Sequence, residues 1–310
     1  MTTFALGGRA TATAGPARLR RRAGAAGTGW TFIGPSTVVI LGLSAFPAAW
    51  AWVLSQQRWN GFKAPRNIGF RNYRDLAADG ELMSAMAHTA FYTALFVPTS
   101  VLGGLFIAVA LNRPIRLIGF YRTCVFVPFV ASSTAIGILA NYIFDPQFGF
   151  ANTMIKSLGL PVQRFLEDPQ QAMVVIAVMT LWSQLGFTVV VYLAALQDIP
   201  KDLVEAATVD GANRLQTFRH IVWPELTPVT VFSTIWQLIG ALQLFDVVYT
   251  TTRGGPLGAT QTVVYYLWSQ AFQQLRFGYG SAIAYGLFGL TMLITLVMPG
   301  YSRAAKVRAF

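Results

Sequence analysis

Cysteine, histidine and carboxylate side chains are scarce in this sequence. Its 310 residues include one cysteine, two histidines and 12 Asp and Glu residues together. Cys124 lies in an apolar stretch, so it cannot join a disulfide framework or a cysteine metal site within this chain. His88 and His220 belong to predicted segments that are too far apart to share a metal ion. The sequence therefore implies no metal site, and a structural role is favoured for both histidines.

Charge is also sparse, and this excludes an ordinary soluble domain. Charged residues make up 11% of the chain against 54% hydrophobic residues. About 20 apolar residues cross a ~30 Å hydrocarbon core as a helix. We therefore predict an all-α polytopic membrane protein with six transmembrane helices. The six apolar windows are Phe32–Leu54, Ser84–Leu111, Gly119–Phe144, Ala172–Leu196, Val229–Thr250 and Gly280–Met298.

The net charge of +11 does not indicate a nucleic-acid partner. The cations are spread over both ends and several loops, whereas a nucleic-acid surface concentrates them in one stripe. The polar segment 198–225 could be mistaken for a helix-turn-helix, but it holds three cations against five acids and would repel phosphate. We expect no nucleic acid to bind.

The distribution of cations predicts the orientation in the membrane, because Lys and Arg are retained on the cytoplasmic side of short loops. With both termini in the cytoplasm, 14 cations lie inside and nine outside, and five of those nine fall in Arg58–Arg74. Residues 1–29 then form a basic, disordered cytoplasmic tail before an uncleaved first span, and 301–310 form a second cytoplasmic tail. A cleavable signal peptide is the alternative, but its apolar region is usually shorter than Phe32–Leu54.

A polar, helix-forming segment separates two long apolar runs. Glu205-Ala206-Ala207 is followed after three residues by Gly211, and after nine more by Ile221-Val222-Trp223-Pro224. Asp202 and Glu205 have the spacing of a capping box, which predicts a helix starting near Leu203. Gly211 permits a sharp turn, and Pro224 with Pro228 is predicted to interrupt the helix before the fifth span. A connector packed only on its own spans remains an alternative.

This spacing resembles the cytoplasmic loop of permease subunits of binding-protein-dependent ABC importers. Other stretches are similar to sugar-type members of that family, and the resemblance covers roughly residues 30 to 298. Trp223 departs from the pattern, because the family usually has Leu there. The further similar stretches are His88–Tyr92, Arg122 with Pro128, Phe144-Asp145-Pro146, Phe245-Asp246, Gly254-Gly255-Pro256 and Phe277–Ala282.

The resemblance implies a six-helix importer domain over 30–300 in a bacterial cell membrane, with a coupling loop, 198–226, seated in a separate ATPase. The implied partners are a second homologous permease subunit, a dimer of ATPase subunits that binds ATP and Mg, an extracytoplasmic solute-binding protein and the lipid bilayer. The resemblance also implies a non-catalytic subunit that binds no cofactor. ATP hydrolysis is expected on the partner, since this chain has no Gly-x-x-x-x-Gly-Lys-Ser/Thr phosphate loop. The implied ATPase-coupling residues are Glu205, Ala206, Ala207, Asp210, Gly211, Ile221 and Pro224.

Polar side chains inside the predicted spans are candidates for the solute pathway, because such groups usually face a cavity or a neighbouring helix. Aromatic rings and neutral amides suit a polyhydroxylated ligand, while hydrogen bonding between helices is the structural alternative. Asp246, the only carboxylate in a predicted span, is expected near the outer boundary with a gating or structural role. The pathway candidates are Gln184, Gln237, Trp182, Trp236, Asn141, Tyr142 and Gln243, with the first two favoured.

The sequence thus predicts a permease for a sugar or sugar derivative, such as an oligosaccharide, an amino sugar or a glycerol-phosphate compound, working by alternating access. An ion-driven secondary transporter is the main alternative. An intramembrane enzyme has less support, because the sequence has neither a His-Glu-x-x-His nor a Gly-x-Ser-x-Gly motif and no pair of carboxylates within the spans.

Overall fold

A computed structural model describes residues 30–114 and 116–304, so the tail 1–29 and residues 305–310 of the second tail lie outside the described residues. Short strands and helices connect the long helices. In chain order the elements are α1 (Trp30–Ser55), β1 (Gln57–Arg58), β2 (Arg66–Asn67), α2 (Arg71–Ala77), α3 (Gly80–Leu111), α4 (Ile118–Val130), α5 (Ser133–Ile143), α6 (Phe150–Ser157), a 3₁₀ turn (Phe165–Glu167), α7 (Ala172–Asp198), α8 (Lys201–Val209), α9 (214–242), α10 (Asp246–Thr250), α11 (Val263–Trp268) and α12 (Phe277–Ala304).

Five helices or helical runs are long and apolar enough to cross a membrane, and α4 with α5 forms a sixth candidate if the bent pair counts as one span. Among the described residues, those up to Val53 and those from Leu54 onward form separate compact units. In the first unit, the large apolar side chains of α1 are exposed, as expected of a helix that faces lipid. The second unit contains the remaining candidate spans and the connecting segments between them.

The predicted straight span Gly119–Phe144 differs in shape, because α4 and α5 meet at an angle of 101°. Pro128 lies in the last turn of α4, where its ring and missing N–H weaken the helix. Ser132 then starts α5, since its Oγ accepts a hydrogen bond from the backbone N–H of Ala135 at 3.2 Å. A Pro followed by a Ser cap therefore turns one apolar window into two helices.

The core of the larger unit lies among α3, α7 and α9. Tyr92, Ile176, Tyr192 and Leu226 are fully buried there. Gly186 lets α7 approach α4 closely, since a Cβ at this position would lie 2.6 Å from the backbone oxygen of Val125. Close backbone approach at small residues is the usual basis of helix packing in membranes, because apolar burial against lipid gives little driving force.

The prediction that Pro224 and Pro228 interrupt the helix before the fifth span is wrong. The helix runs through both residues, from Arg214–Thr217 through a π-helical turn, Phe218–Val222, into Trp223–Leu242. Pro224 falls where the π-helical turn passes into the α-helical part, so its missing N–H lies at a change of the backbone hydrogen-bond pattern. Pro228 lies further in, a position that membrane helices tolerate. One continuous helix, α9, therefore runs from the polar loop into the fifth span.

The segment Asp145–Gln171 is folded around Asn152. The Asn152 side chain is 1% exposed, and its Nδ2 donates to the backbone oxygens of Pro146 at 3.1 Å and Gln163 at 2.8 Å. The Gln163 backbone N–H donates back to Asn152 Oδ1 at 3.0 Å. These bonds fix the chain around α6 without a long regular element.

Asp79 joins three elements and is a residue that sequence reasoning missed. Its Oδ1 accepts the backbone N–H groups of Glu81 and Leu82 at 3.0 and 3.1 Å, which caps α3. Its Oδ2 accepts hydrogen bonds from the hydroxyls of Tyr266 in α11, at 2.7 Å, and Tyr279 in α12. Burial raises the pKa of Asp79, but the tyrosine hydroxyls and the two backbone N–H groups outweigh it and hold the pKa below its ordinary 3.8.

Replacing Asp79 with Ala is expected to lower the melting temperature of the purified protein by several degrees. The lost helix cap alone costs about 1 kcal/mol, and two buried tyrosine hydroxyls lose their acceptor. The pKa of Asp79 is lower in the folded protein than in the unfolded chain. The stabilisation that its carboxylate gives is therefore complete above the unfolded-state pKa and is lost as pH falls through the folded-state pKa. Asp79→Asn keeps the cap and serves as the control; equal melting temperatures for all three proteins would contradict this role.

Candidate functional site

A cavity of about 460 Å³ lies between the long helices of the larger unit. Four of the seven predicted pathway residues line it, and so does Asp246. Three of them lie on two helices, with Gln184 on α7 and Trp236 and Gln237 on α9, while Gln243 directly follows the end of α9. Other parts of the wall come from Tyr92, Phe96, Phe129, Ser133, Thr180 and Phe245.

The cavity wall combines aromatic rings with neutral amides. Trp236 is half exposed and stacks on Phe187, with ring centroids 5.2 Å apart. Gln184 is partly buried, and Gln243 is exposed at the end of α9. Rings of this kind can pack on the apolar face of a sugar, while amide groups exchange hydrogen bonds with hydroxyls. This part of the wall can therefore contact a polyhydroxylated solute.

Gln237 has a structural role in addition to its place in the wall. Its side chain is 3% exposed, and Nε2 donates to Ser100 Oγ on α3 at 2.8 Å and to Thr188 Oγ1 on α7 at 2.7 Å. One amide group therefore ties three helices together beside the cavity. Of the two interpretations left open by the sequence, helix-to-helix hydrogen bonding is observed directly, and contact with the cavity is observed as well.

Three predicted pathway residues do not line this cavity. Asn141 Nδ2 donates to the backbone oxygen of Thr250 at 3.0 Å, which links α5 to α10. Tyr142 is 67% exposed and Trp182 is 46% exposed, both outside the cavity wall. Asp246, which we expected near the outer boundary, is exposed as the first residue of α10 and reaches the cavity. The structure thus brings Gln184, Trp236, Gln237 and Gln243 together and separates the other three.

The sequence did not reveal that Phe129 and Ser133 line the cavity, because a straight third span would separate them along one helix. In the structure they flank the bend between α4 and α5. The signal was present as Pro128 followed by Ser132, a helix stop before a cap. Ser100 and Thr188 were also missed, since single small hydroxyl residues in apolar windows carry little pattern.

The polar loop begins with α8, which has no buried residue. Glu205 and Ala206 are exposed and Ala207 is partly exposed. The predicted capping box at Asp202 is wrong, because α8 begins at Lys201 after Pro200 and no side chain caps it. The ring of Pro200 fixes its own φ just before the helix, so the chain enters α8 without a side-chain cap.

The turn after α8 is built by Gly211, whose φ of +81° lies in the left-handed region that favours glycine. Asp210 is exposed at the C-terminal end of α8, and a capping box then forms at Asn213 and Gln216. Each backbone N–H of that pair donates to the other residue's side chain, at 2.8 and 2.9 Å. The start of the second helix is thus fixed by the capping box of Asn213 and Gln216.

Apolar side chains of this loop are left uncovered by the rest of the described chain. Val209 is 87% exposed and Leu215 is 74% exposed. Ile221 is partly buried, whereas Pro224 is exposed where the loop joins the long helix. An exposed apolar set on a short rigid element is typical of a contact surface for another protein.

Residues 100–304 match the family described as "Binding-protein-dependent transport system inner membrane component". The chain belongs to this family. The permease family assignment gives no support to the ion-driven alternative, and it identifies the cavity and the loop as parts of a transport subunit.

Curated relatives of this permease extend over most of the chain. A probable ABC transporter permease protein of Pyrococcus horikoshii is 31% identical over 271 residues, which are 86% of this chain and 92% of the relative. The lactose transport system permease protein LacF of Rhizobium radiobacter is 34% identical, covering 90% of this chain and 95% of LacF.

Among solved structures, the permease is similar to a chain of a bacterial alginate ABC transporter in complex with an alginate pentasaccharide-bound periplasmic protein. The TM-score is 0.84 at 20% identity, covering 94% of this chain and 100% of that chain. This likeness supports the fold described above.

Proposed function

We propose that this permease forms one half of the translocation pathway for a sugar or sugar derivative, of the oligosaccharide, amino sugar or glycerol-phosphate type, and works by alternating access. The observation that carries the proposal is the cavity in which Gln184, Trp236 and Gln243 meet. The names of the relatives agree with it, since one is a lactose permease and the similar structure belongs to an alginate transporter. The other half of the pathway comes from a second, homologous permease subunit.

We also propose that residues 198–226 couple this pathway to a separate ATPase dimer, which binds ATP and Mg. The exposed α8 offers Glu205, Ala206 and Ala207 to a groove on the ATPase, and the turn at Gly211 directs the chain into α9. Because α9 is helical from this loop to Trp236 and Gln237, a movement of the loop is carried to the cavity wall along one continuous helix. The interruption predicted at Pro224 would have weakened such a link.

This mechanism places the chain in a bacterial cell membrane with both termini and the loop 198–226 in the cytoplasm. A solute-binding protein then delivers the solute from the opposite side. The energy comes from the partner ATPase, so the permease contributes binding surfaces and movement and no catalysis of its own.

A substitution at Trp236 tests whether this cavity is part of the solute pathway. In a complex assembled with its partner chains, Trp236→Ala is expected to lower uptake at limiting solute by about three- to tenfold, because a stacking surface worth about 0.5 to 1.5 kcal/mol is lost. Trp182→Ala is the matched control, since Trp182 is similarly exposed, at 46% against 50%, but lies outside the cavity. Equal loss of uptake in both variants would count against this cavity as the pathway.

A further inference from the structure

A recess of about 340 Å³ lies where β1 and α2 meet the start of α12. We name it the Arg58 recess. It is distant in sequence from the cavity residues and shares none of the cavity lining. Its wall includes Arg58, Trp59, Asn60, Asp75, Arg276 and Tyr279.

The Arg58 recess is rigidly built. Asn72 is 6% exposed, and its Nδ2 donates to the backbone oxygens of Ser55 at 2.8 Å and Gln57 at 3.0 Å, which fastens α2 to the start of the hairpin. Gly278 allows α12 to touch the same hairpin, since a Cβ there would lie 1.9 Å from the Gln57 oxygen. The recess is therefore a preformed feature of the fold.

One arginine of the Arg58 recess is held in place by its neighbours. The Arg276 Nη1 donates to Oε1 of buried Gln270 at 2.9 Å, and its guanidinium carbon lies 4.4 Å from the Tyr279 ring centroid. A guanidinium carries five N–H donors in a fixed fork, so several remain for a ligand. A positioned guanidinium favours a planar acceptor such as a carboxylate.

The surface around the Arg58 recess has a surplus of positive charge. Residues 58–75 contain five cations, all exposed, against the single acid Asp75. Among the described residues the one ion pair is Arg164–Glu167, so none of these five cations is paired within that part of the chain. In the proposed orientation they lie on the extracytoplasmic side, where retention by the positive-inside rule cannot explain them.

We propose that the Arg58 recess receives an acidic side chain of the solute-binding protein and that the surrounding cations steer this protein to the permease. The inference rests on the proposed function, which supplies both the partner and the orientation. Trp, Tyr and Arg are the residues that dominate protein contacts, and all three types line the recess. A flat layer of lipid headgroups gives no reason for a preformed recess in which Arg58 and Arg276 lie together with Asn60.

The test measures ATP hydrolysis by the complete complex in proteoliposomes as a function of solute-binding protein concentration. Arg58→Glu is expected to raise the half-saturating concentration about tenfold, with the rate at saturation within about twofold of wild type, because exposed interface charges act mainly on association. Rising salt should weaken the wild type more than the variant. Arg58→Lys should retain most of the wild-type response. Lys156→Glu, at an exposed cation of α6 outside the recess, is the control.

Three results would overturn the inference. An unchanged half-saturating concentration in Arg58→Glu refutes it, and so does an effect that depends on anionic lipid in the vesicles instead of on the binding protein. Lys63→Cys in a Cys124→Ser background, treated with a membrane-impermeant maleimide, reports the orientation of this segment in intact cells. Labelling only from the cytoplasm refutes the proposed orientation as well, whereas outside labelling with an unchanged concentration refutes the recess alone.

Discussion

Replacing Glu205 with Lys is expected to lower solute-stimulated ATP hydrolysis and uptake by at least about thirtyfold. Glu205 is exposed on α8, where no side chain is buried, so the fold of this chain gives no reason for the acid. At an interface, losing one partner of a close charge pair costs about 2 to 5 kcal/mol, and each 1.4 kcal/mol is a factor of about ten. The measurement is ATP hydrolysis and uptake by the reconstituted complex.

The exposure of Glu205 also allows a loss of coupling to be distinguished from a loss of folding. Because Glu205 is exposed and α8 is not part of the core, Glu205→Lys should melt at the wild-type temperature when purified alone. Glu167→Lys is the matched charge reversal, at an exposed acid of the segment between α6 and α7, and should transport normally. Wild-type uptake by Glu205→Lys would show that this loop does not couple the permease to its ATPase.

Composition and apolar length were sufficient to predict an all-helical membrane protein with up to six spans. Windows such as Ala172–Leu196 agree with α7 because an uninterrupted apolar run of this length has few alternatives to a helix. Shape was less predictable. Pro128 ends a helix and Pro224 does not, and the difference depends on the neighbouring residues: Ser132 caps a new helix after Pro128, whereas Pro224 continues a helix that a π-helical turn has already started.

The candidate site was predicted in part, and the reason is physical. Gln184, Trp236 and Gln243 share the cavity because polar groups in a membrane helix are costly unless they face a cavity or another helix. That rule does not say whether a polar residue will face a cavity or another helix. Asn141 donates a hydrogen bond to Thr250 on α10 and does not line the cavity. Contacts such as those of Asp79 with two distant tyrosines depend on the assembled fold and leave no local pattern in the sequence.

Replacing Gln237 with Leu is expected to destabilise the permease and to lower uptake more than about tenfold. Leu cannot donate to Ser100 and Thr188, and hydrogen bonds between membrane helices contribute about 0.6 to 1.7 kcal/mol each, so the two lost bonds cost roughly 1 to 3 kcal/mol. The junction of α3, α7 and α9 would loosen beside the cavity. Uptake and the melting temperature of the purified protein are the measurements.

Gln184→Leu is the matched control, because Gln184 lines the same cavity and its side chain forms no hydrogen bond within the described residues. It should reduce uptake and leave the melting temperature near that of the wild type. Adding Ser100→Ala to each variant completes the comparison. This second substitution should lower the melting temperature less in Gln237→Leu, where the bond between Ser100 and the amide is already absent, than in Gln184→Leu. Equal costs in the two backgrounds would mean that Gln237 does not hold these helices together, and its place in the cavity would then be its only role.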